Sequence, residues 1–171
     1  MEIMECNYEQ INQIAELSKE IINNLSQDKQ ADFFGGVDED EVKEAMTFPS
    51  KVFVITDKNK VIGFIILQLP NKNELSAYSK FFNVDKSMII NGYGIKPEYR
   101  KNGIALKLLQ TAKEYALQNG FDSFIGTVHP DNVASKNAMR KIAKSFELKD
   151  NIIYTMKDGR KLIRERFSLN L

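Results

Sequence analysis

An apolar run, Met88 to Ile95, leads into Lys96-Pro97-Glu98-Tyr99-Arg100-Lys101-Asn102-Gly103 and then into an amphipathic segment, Ile104 to Asn119. No other stretch of the 171 residues restricts the fold as much. The apolar run reads as the central strand. After it, Ala105, Leu108, Leu109, Ala112, Tyr115 and Ala116 recur at helical spacing, with Lys107, Gln110, Lys113 and Gln118 on the other face. Gly120 suits the residue that follows a helix, and Phe121 to Val128 reads as the next strand. Strand, helix, strand implies a parallel pair with a right-handed crossover. The loop between the first strand and the helix has its own chemistry. The first N–H groups of a helix lack internal partners, and the helix dipole places partial positive charge on them. A phosphate set there is stabilised by both. Gly103 removes a Cβ from that approach and accepts positive φ, while Arg100 and Lys101 add full charges. The stretch reads as strand, phosphate-cradling loop and helix.

The remaining elements come in order along the chain. Met1 to Cys6 forms a short strand. Asn7 then starts a helix, with Gln10 as its capping-box partner and Ile11, Ile14, Ala15, Ile21, Ile22 and Leu25 as the buried stripe. Residues 26–36 form an irregular connection in which Phe33-Phe34-Gly35-Gly36 is either a substrate-side lid or a loop anchored by its aromatics. Asp38 opens a second helix with Glu41 as box partner, and Pro49 ends it. Lys51 to Thr56 and Val61 to Leu69 make a hairpin, in which Gly63 marks a bulge or a close backbone approach. In the long link 71–87, Glu74 to Phe82 forms one or two helical turns. Its aromatics line an acceptor pocket, cover the core or make a dimer contact. A helix over Val133 to Lys144 and a final hairpin around Asp158-Gly159, with its charges on the solvent face, complete the chain. The expectation is one α/β domain over residues 1–171 with a mixed central β-sheet flanked by helices.

Composition excludes several classes. Twenty-four basic and 23 acidic residues leave a formal charge of +1, so no global field draws nucleic acid or membrane. Cys6 is the single cysteine, which rules out a disulfide framework or a cysteine metal cluster and reads as a small buried hydrophobe. No membrane span is present, and Glu2 and Glu5 interrupt any signal peptide, so a cytoplasmic setting is expected.

The hexapeptide Arg100-Lys101-Asn102-Gly103-Ile104-Ala105 resembles the Arg/Gln-x-x-Gly-x-Gly/Ala motif with which the GNAT superfamily of N-acetyltransferases wraps the pyrophosphate of CoA. The approach Ile95-Lys96-Pro97-Glu98-Tyr99 and the order of elements are similar to that family over nearly the whole chain, with the specific motifs between Met88 and about Phe146. The resemblance implies a GNAT-like fold, acetyl-CoA as co-substrate and no metal. It assigns cofactor contacts to Ile95, to residues 100–105, and to Asn132 and Ser135, which match the family's second motif. Met139 stands where the family often has a tyrosine that protonates the departing thiolate, and Ala143 and Lys144 replace the glycine and aromatic that end the motif.

What the resemblance implies chemically is direct transfer of an acetyl group to a primary amine of a small molecule or protein. Backbone N–H groups near Ile95 would stabilise the developing oxyanion. His129, the one histidine, is a candidate base at the end of the second parallel strand, or simply a cap of the turn beside Pro130. Asn91 and Tyr93 are candidates to hold a water instead, and Tyr93, Tyr99 and Tyr154 are alternative acids. Lys96, Arg100, Lys101, Lys107, Lys136, Arg140 and Lys141 are either phosphate-binding charges or solvated surface. A homodimer is possible. The competing reading is an acyl-CoA-binding module of the same fold with little or no catalysis. A dinucleotide-binding domain is disfavoured, because no Gly-x-Gly-x-x-Gly follows the central strand.

Overall fold

The computed structural model describes residues 1–171. Strand β1 (Glu2–Glu5) leads through a 3-10 turn (Tyr8–Gln10) into α1 (Ile11–Gln27). A second 3-10 turn (Ala31–Phe33) precedes α2 (Glu39–Glu44). The hairpin β2 (Lys51–Asp57) and β3 (Lys60–Gln68) is followed by α3 (Lys72–Tyr78) and β4 (Ser87–Ile95). Then come α4 (Ile104–Gln118), β5 (Ser123–Val128) and α5 (Val133–Ile142). The closing hairpin is β6 (Ser145–Thr155) and β7 (Lys161–Asn170).

Local chemistry accounts for the helix starts. Asn7 with Gln10, Asp38 with Glu41 and Asn71 with Glu74 each form a reciprocal capping box that satisfies two orphan donors. The seven strands form one sheet in the order β1-β2-β3-β4-β5-β7-β6, antiparallel except for β4 and β5. Side chains alternate across it. One face, with Phe53, Ile65, Met88, Phe124 and Phe167, packs on Leu108, Leu109 and Ala112 of α4 and Met139 and Ile142 of α5. The other face, with Val52, Val54, Phe64 and Ile66, packs on α1 and α2, and Tyr78 and Phe82 cover Ile89 and Ile125 beside them. Tyr78 and Phe82 thus cover the core while Phe81 is exposed, and Tyr78 also reaches a cleft between β4 and β5. No helix is long and apolar enough to cross a membrane.

Gly63 meets both of its readings. The register slips between Ile55 and Thr56, which leaves Ile62 beside it as the extra residue, and a Cβ at Gly63 would lie 3.2 Å from the Gly94 carbonyl oxygen. Three expectations are corrected. Helix α3 starts two residues earlier than expected, because Asn71 caps it, and ends at Tyr78 rather than Phe82. Lys113 is half-buried, because its Nζ donates to the Ile142 carbonyl at 2.7 Å and ties α4 to the end of α5. The charges of the closing hairpin do not all face solvent. Arg164 is buried, and Arg160 donates to the carbonyls of Ala31, Phe34 and Gly35 at 2.7–3.0 Å. The hairpin folds back on the connection between α1 and α2, so its polar face meets bare carbonyl groups there.

Candidate active site

Strands β4 and β5 pair over only three positions, Ser87–Ile89 with Ser123–Ile125, and then part. The cause is visible in β4. Ile66 pairs with Gly92 and Leu67 with Ile90, so Asn91 is an extra residue, and such a bulge bends its strand. Gly126 lies at the last close approach, where a Cβ would stand 3.1 Å from the Ile90 carbonyl oxygen and 2.8 Å from the Phe167 ring. Beyond that point a cleft of about 990 Å³ opens between the two strands. Its walls include β4 from Ile89 to Ile95, Arg100, Lys101 and Gly103 before α4, the start of α4 and of α5, and Phe33 to Gly36.

At one mouth of the cleft the backbone is all donors. No N–H from Lys101 to Leu106 has an acceptor within the chain, and the first that does is Lys107, to the Gly103 carbonyl at 3.1 Å. Gly103 takes φ +73° with nothing within 4 Å of a Cβ placed there, so conformation rather than crowding calls for glycine. Lys101 is also at positive φ, 67°. Arg100 turns inward, its Nη1 donating to Asn24 Oδ1 at 3.0 Å and its Nε to the Ile95 carbonyl at 3.3 Å, and burial lowers its pKa. Asn102 donates from its side chain to the Tyr99 carbonyl, while Ile104 is buried and Ala105 half-buried under the helix start. Alternate N–H groups of a strand point to opposite edges. Lys96 donates to the Ile62 carbonyl on β3, so the N–H of Ile95 points the other way, into the gap.

Across the cleft, Asn132 caps α5, its Oδ1 accepting from the Ser135 N–H at 3.0 Å. Ser135 Oγ and Tyr93 OH share a 2.6 Å hydrogen bond that spans the gap between α5 and β4. Burial pushes the Tyr93 phenol up to about 12, with the Ser135 contact partly opposing it. Met139 lines the same wall and is buried in the core.

The other candidates are placed differently. His129 is 6 % exposed and does not line the cleft. Its Nδ1 accepts from the Asp131 N–H at 3.0 Å, its Nε2 meets Asp32 Oδ2 at 2.8 Å, and its ring stacks on Phe33 at 4.5 Å. Both nitrogens are engaged, which is the geometry of a turn cap and loop anchor. Tyr99 donates to Asp57 Oδ2 at 2.8 Å. Tyr154 lines the cleft, and its phenol is raised by burial. The basic cluster is thinner than the sequence suggests. Lys96 pairs with Glu98, and Lys136 with Glu165 and the Pro130 carbonyl, while Arg140 lies over the Phe146 ring. Lys101, Lys107 and Lys141 remain without a partner in the chain. Cys6 lies away from the cleft, and burial pushes its thiol up to about 11, where it is a poor nucleophile. Sequence reasoning missed Arg164, which also lines the cleft. Strand alternation gives its face but not what packs there.

The model of the acetyltransferase (GNAT) family matches residues 17–143. No curated protein sequence matches the chain. Among solved structures, the ribosomal-protein-S18-alanine N-acetyltransferase of Escherichia coli is 13% identical with a TM-score of 0.70, the match covering 99% of this chain and 92% of that one. An N-acetyltransferase from Staphylococcus aureus Mu50 is 18% identical with a TM-score of 0.70, covering 99% and 97%. A GNAT superfamily phosphinothricin acetyltransferase from Sinorhizobium meliloti, in complex with acetyl-CoA, is 18% identical with a TM-score of 0.68, covering 99% and 88%. At these identities what is shared with the solved structures is the fold.

Proposed function

The chain belongs to the GNAT acetyltransferase family, and from that premise we propose that it moves an acetyl group from acetyl-CoA to a primary amine by direct attack within a ternary complex. One observation carries the reading: the unbroken row of free N–H groups from Lys101 to Leu106, opening onto the cleft between β4 and β5. These donors, with Gly103 leaving the approach clear, suit a pyrophosphate. Lys101, Asn102, Ile104 and Ala105 contribute backbone donors. Arg100 contributes mainly by buttressing Ile95 and α1. Asn132 and Ser135 are assigned to the pantetheine side.

The amine nitrogen bonds to the thioester carbonyl carbon while the carbon–sulfur bond breaks, and the sulfur leaves with the electron pair. The Ile95 N–H is assigned to the developing oxyanion. Tyr93, protonated throughout the neutral range, is assigned as the proton donor to sulfur, in place of the residue that Met139 displaces. Asn91, exposed at the bulge, is assigned to hold the water that takes the amine proton. His129 is assigned to positioning the 31–35 loop. We place the protein in the cytoplasm as a single domain. A homodimer is supported by the exposed cross-strand pair Ile153 and Ile163 at the end of the closing hairpin.

The test is release of CoA thiol from acetyl-CoA across a broad panel of small amines and peptide N-termini. Amine-dependent release supports transfer. A second reading, an acyl-CoA-binding module, draws on the engaged nitrogens of His129 and on Met139. Tight acetyl-CoA binding with no turnover on any amine would establish it.

A further inference from the structure

The cleft has a second mouth, on the sheet face that carries α1, α2 and α3, and the acetyl-transfer reading leaves its chemistry unassigned. On β7, Phe167 and Leu169 pack toward α4 and α5, while the Arg166 guanidinium lies over the rings of Tyr78 and Phe81. Arg164 shares the face of Arg166 by strand alternation. It is 5 % exposed and lines the cleft. Its Nη1 donates to the carbonyls of Asp32 and Ile163. No carboxylate bonds to it: the Asp32 charge acts on it and offsets part of the cost of burial, but Asp32 Oδ2 is engaged by His129. Its Nε and Nη2 have no acceptor in the chain. Neither is sealed from solvent, since the one sealed side-chain nitrogen without a partner is Nε of Arg166.

Nε–H and Nη2–H form one edge of the guanidinium, two parallel donors that match the two oxygens of a carboxylate. Burial lowers the Arg164 pKa to about 10, which leaves a full cation at neutral pH in a poorly hydrated site. Such a charge is stable only when an anion and its hydrogen bonds meet it. The opposite charge stands nearby. Glu74 lines the same cleft with one oxygen accepting from the Asn71 N–H and the other unpartnered. Glu74 and Arg164 both act on the Tyr154 phenol, in opposite directions.

We propose that the acetyl acceptor is a small amine of the amino-acid kind, and that the open edge of Arg164 recognises its carboxylate at the mouth of the cleft opposite the 101–106 loop. The amine is then presented to the thioester while the carboxylate is held by the fork. This assignment rests on the acetyl-transfer reading of the same cleft.

The test takes the full chain with acetyl-CoA and reads thiol release for each standard amino acid beside its carboxamide and its decarboxylated amine. Turnover by the wild type is expected for free acids and not for the other two forms. In Arg164→Gln the KM of the best acid should rise about ten- to a hundredfold with a smaller change in kcat. Arg164→Lys should fall between, and acetyl-CoA binding should be unchanged in both. Equal use of carboxamides or decarboxylated amines by the wild type would overturn the inference, and that comparison stands even where a variant fails to fold. A folded Arg164→Gln variant that keeps the wild-type KM for the best acid, or that loses kcat with KM unchanged, would overturn it too. Acetyl-CoA binding without turnover of any free acid overturns it while leaving transfer to other amines standing. Absence of acetyl-CoA binding overturns both.

Discussion

Tyr93 is the residue on which the proposed chemistry bears most directly. Its hydroxyl is held 2.6 Å from Ser135 Oγ, and burial raises it to about 12. As a proton donor it should contribute roughly 10²-fold or more, so Tyr93→Phe should lower kcat by that order and leave acetyl-CoA affinity unchanged in calorimetry. An unchanged kcat would move the role elsewhere. The same shift bears on stability. The unfolded phenol loses its proton near ~10, while the folded one keeps it to about 12. The folded state therefore binds more protons in that window, and stability falls as pH rises through it. Thermal melting between pH 10 and 12 should fall less steeply for Tyr93→Phe than for the wild type. His129 has a different signature. Losing its contacts to Asp32 and Asp131 should cost about 2 kcal/mol in a denaturant titration, with the pH dependence of transfer retained. The contrast between these two residues also marks what was legible. His129 stood out as the lone histidine at a strand end, whereas its engagement with Asp32 is a contact across 97 positions that no local pattern encodes.

At the scale of elements, the connection between α1 and α2 is held from a distance. Arg160 supplies three hydrogen bonds to its carbonyls, and the side chain of Ser18 accepts from the Val37 N–H at 2.8 Å. Arg160→Ala should lower stability by about 2–3 kcal/mol and speed amide exchange at residues 31–36 more than elsewhere. Uniform exchange across the chain would contradict a local role. The capping boxes at Asn7 and Asp38 were readable from sequence, because a cap needs only neighbours three residues apart. The bulge at Asn91 was not, since a register shift belongs to two strands at once. The burial of Arg164 escaped for the same kind of reason. Alternating charges on an edge hairpin read as a solvated face until a distant loop is laid against them.

At the scale of the molecule, two periodicities, 3.6 in the helices and 2 in the strands, made the α/β class and the parallel pair evident. The placement of β7 between β5 and β6 was not evident, because hairpin patterning does not say which strand joins the existing sheet edge. That placement brings Arg164 to the cleft. The mouth of this cleft formed by residues 101–106 is proposed to hold acetyl-CoA. Calorimetry of acetyl-CoA with the wild type beside Gly103→Asp tests it most directly. The substitution places a carboxylate among the free N–H groups and strains a residue at φ +73°, so a melting curve of the variant belongs with it. Micromolar binding by the wild type, lost in a folded Gly103→Asp, is the expected result. Equal binding by both proteins, or none by the wild type, would contradict it.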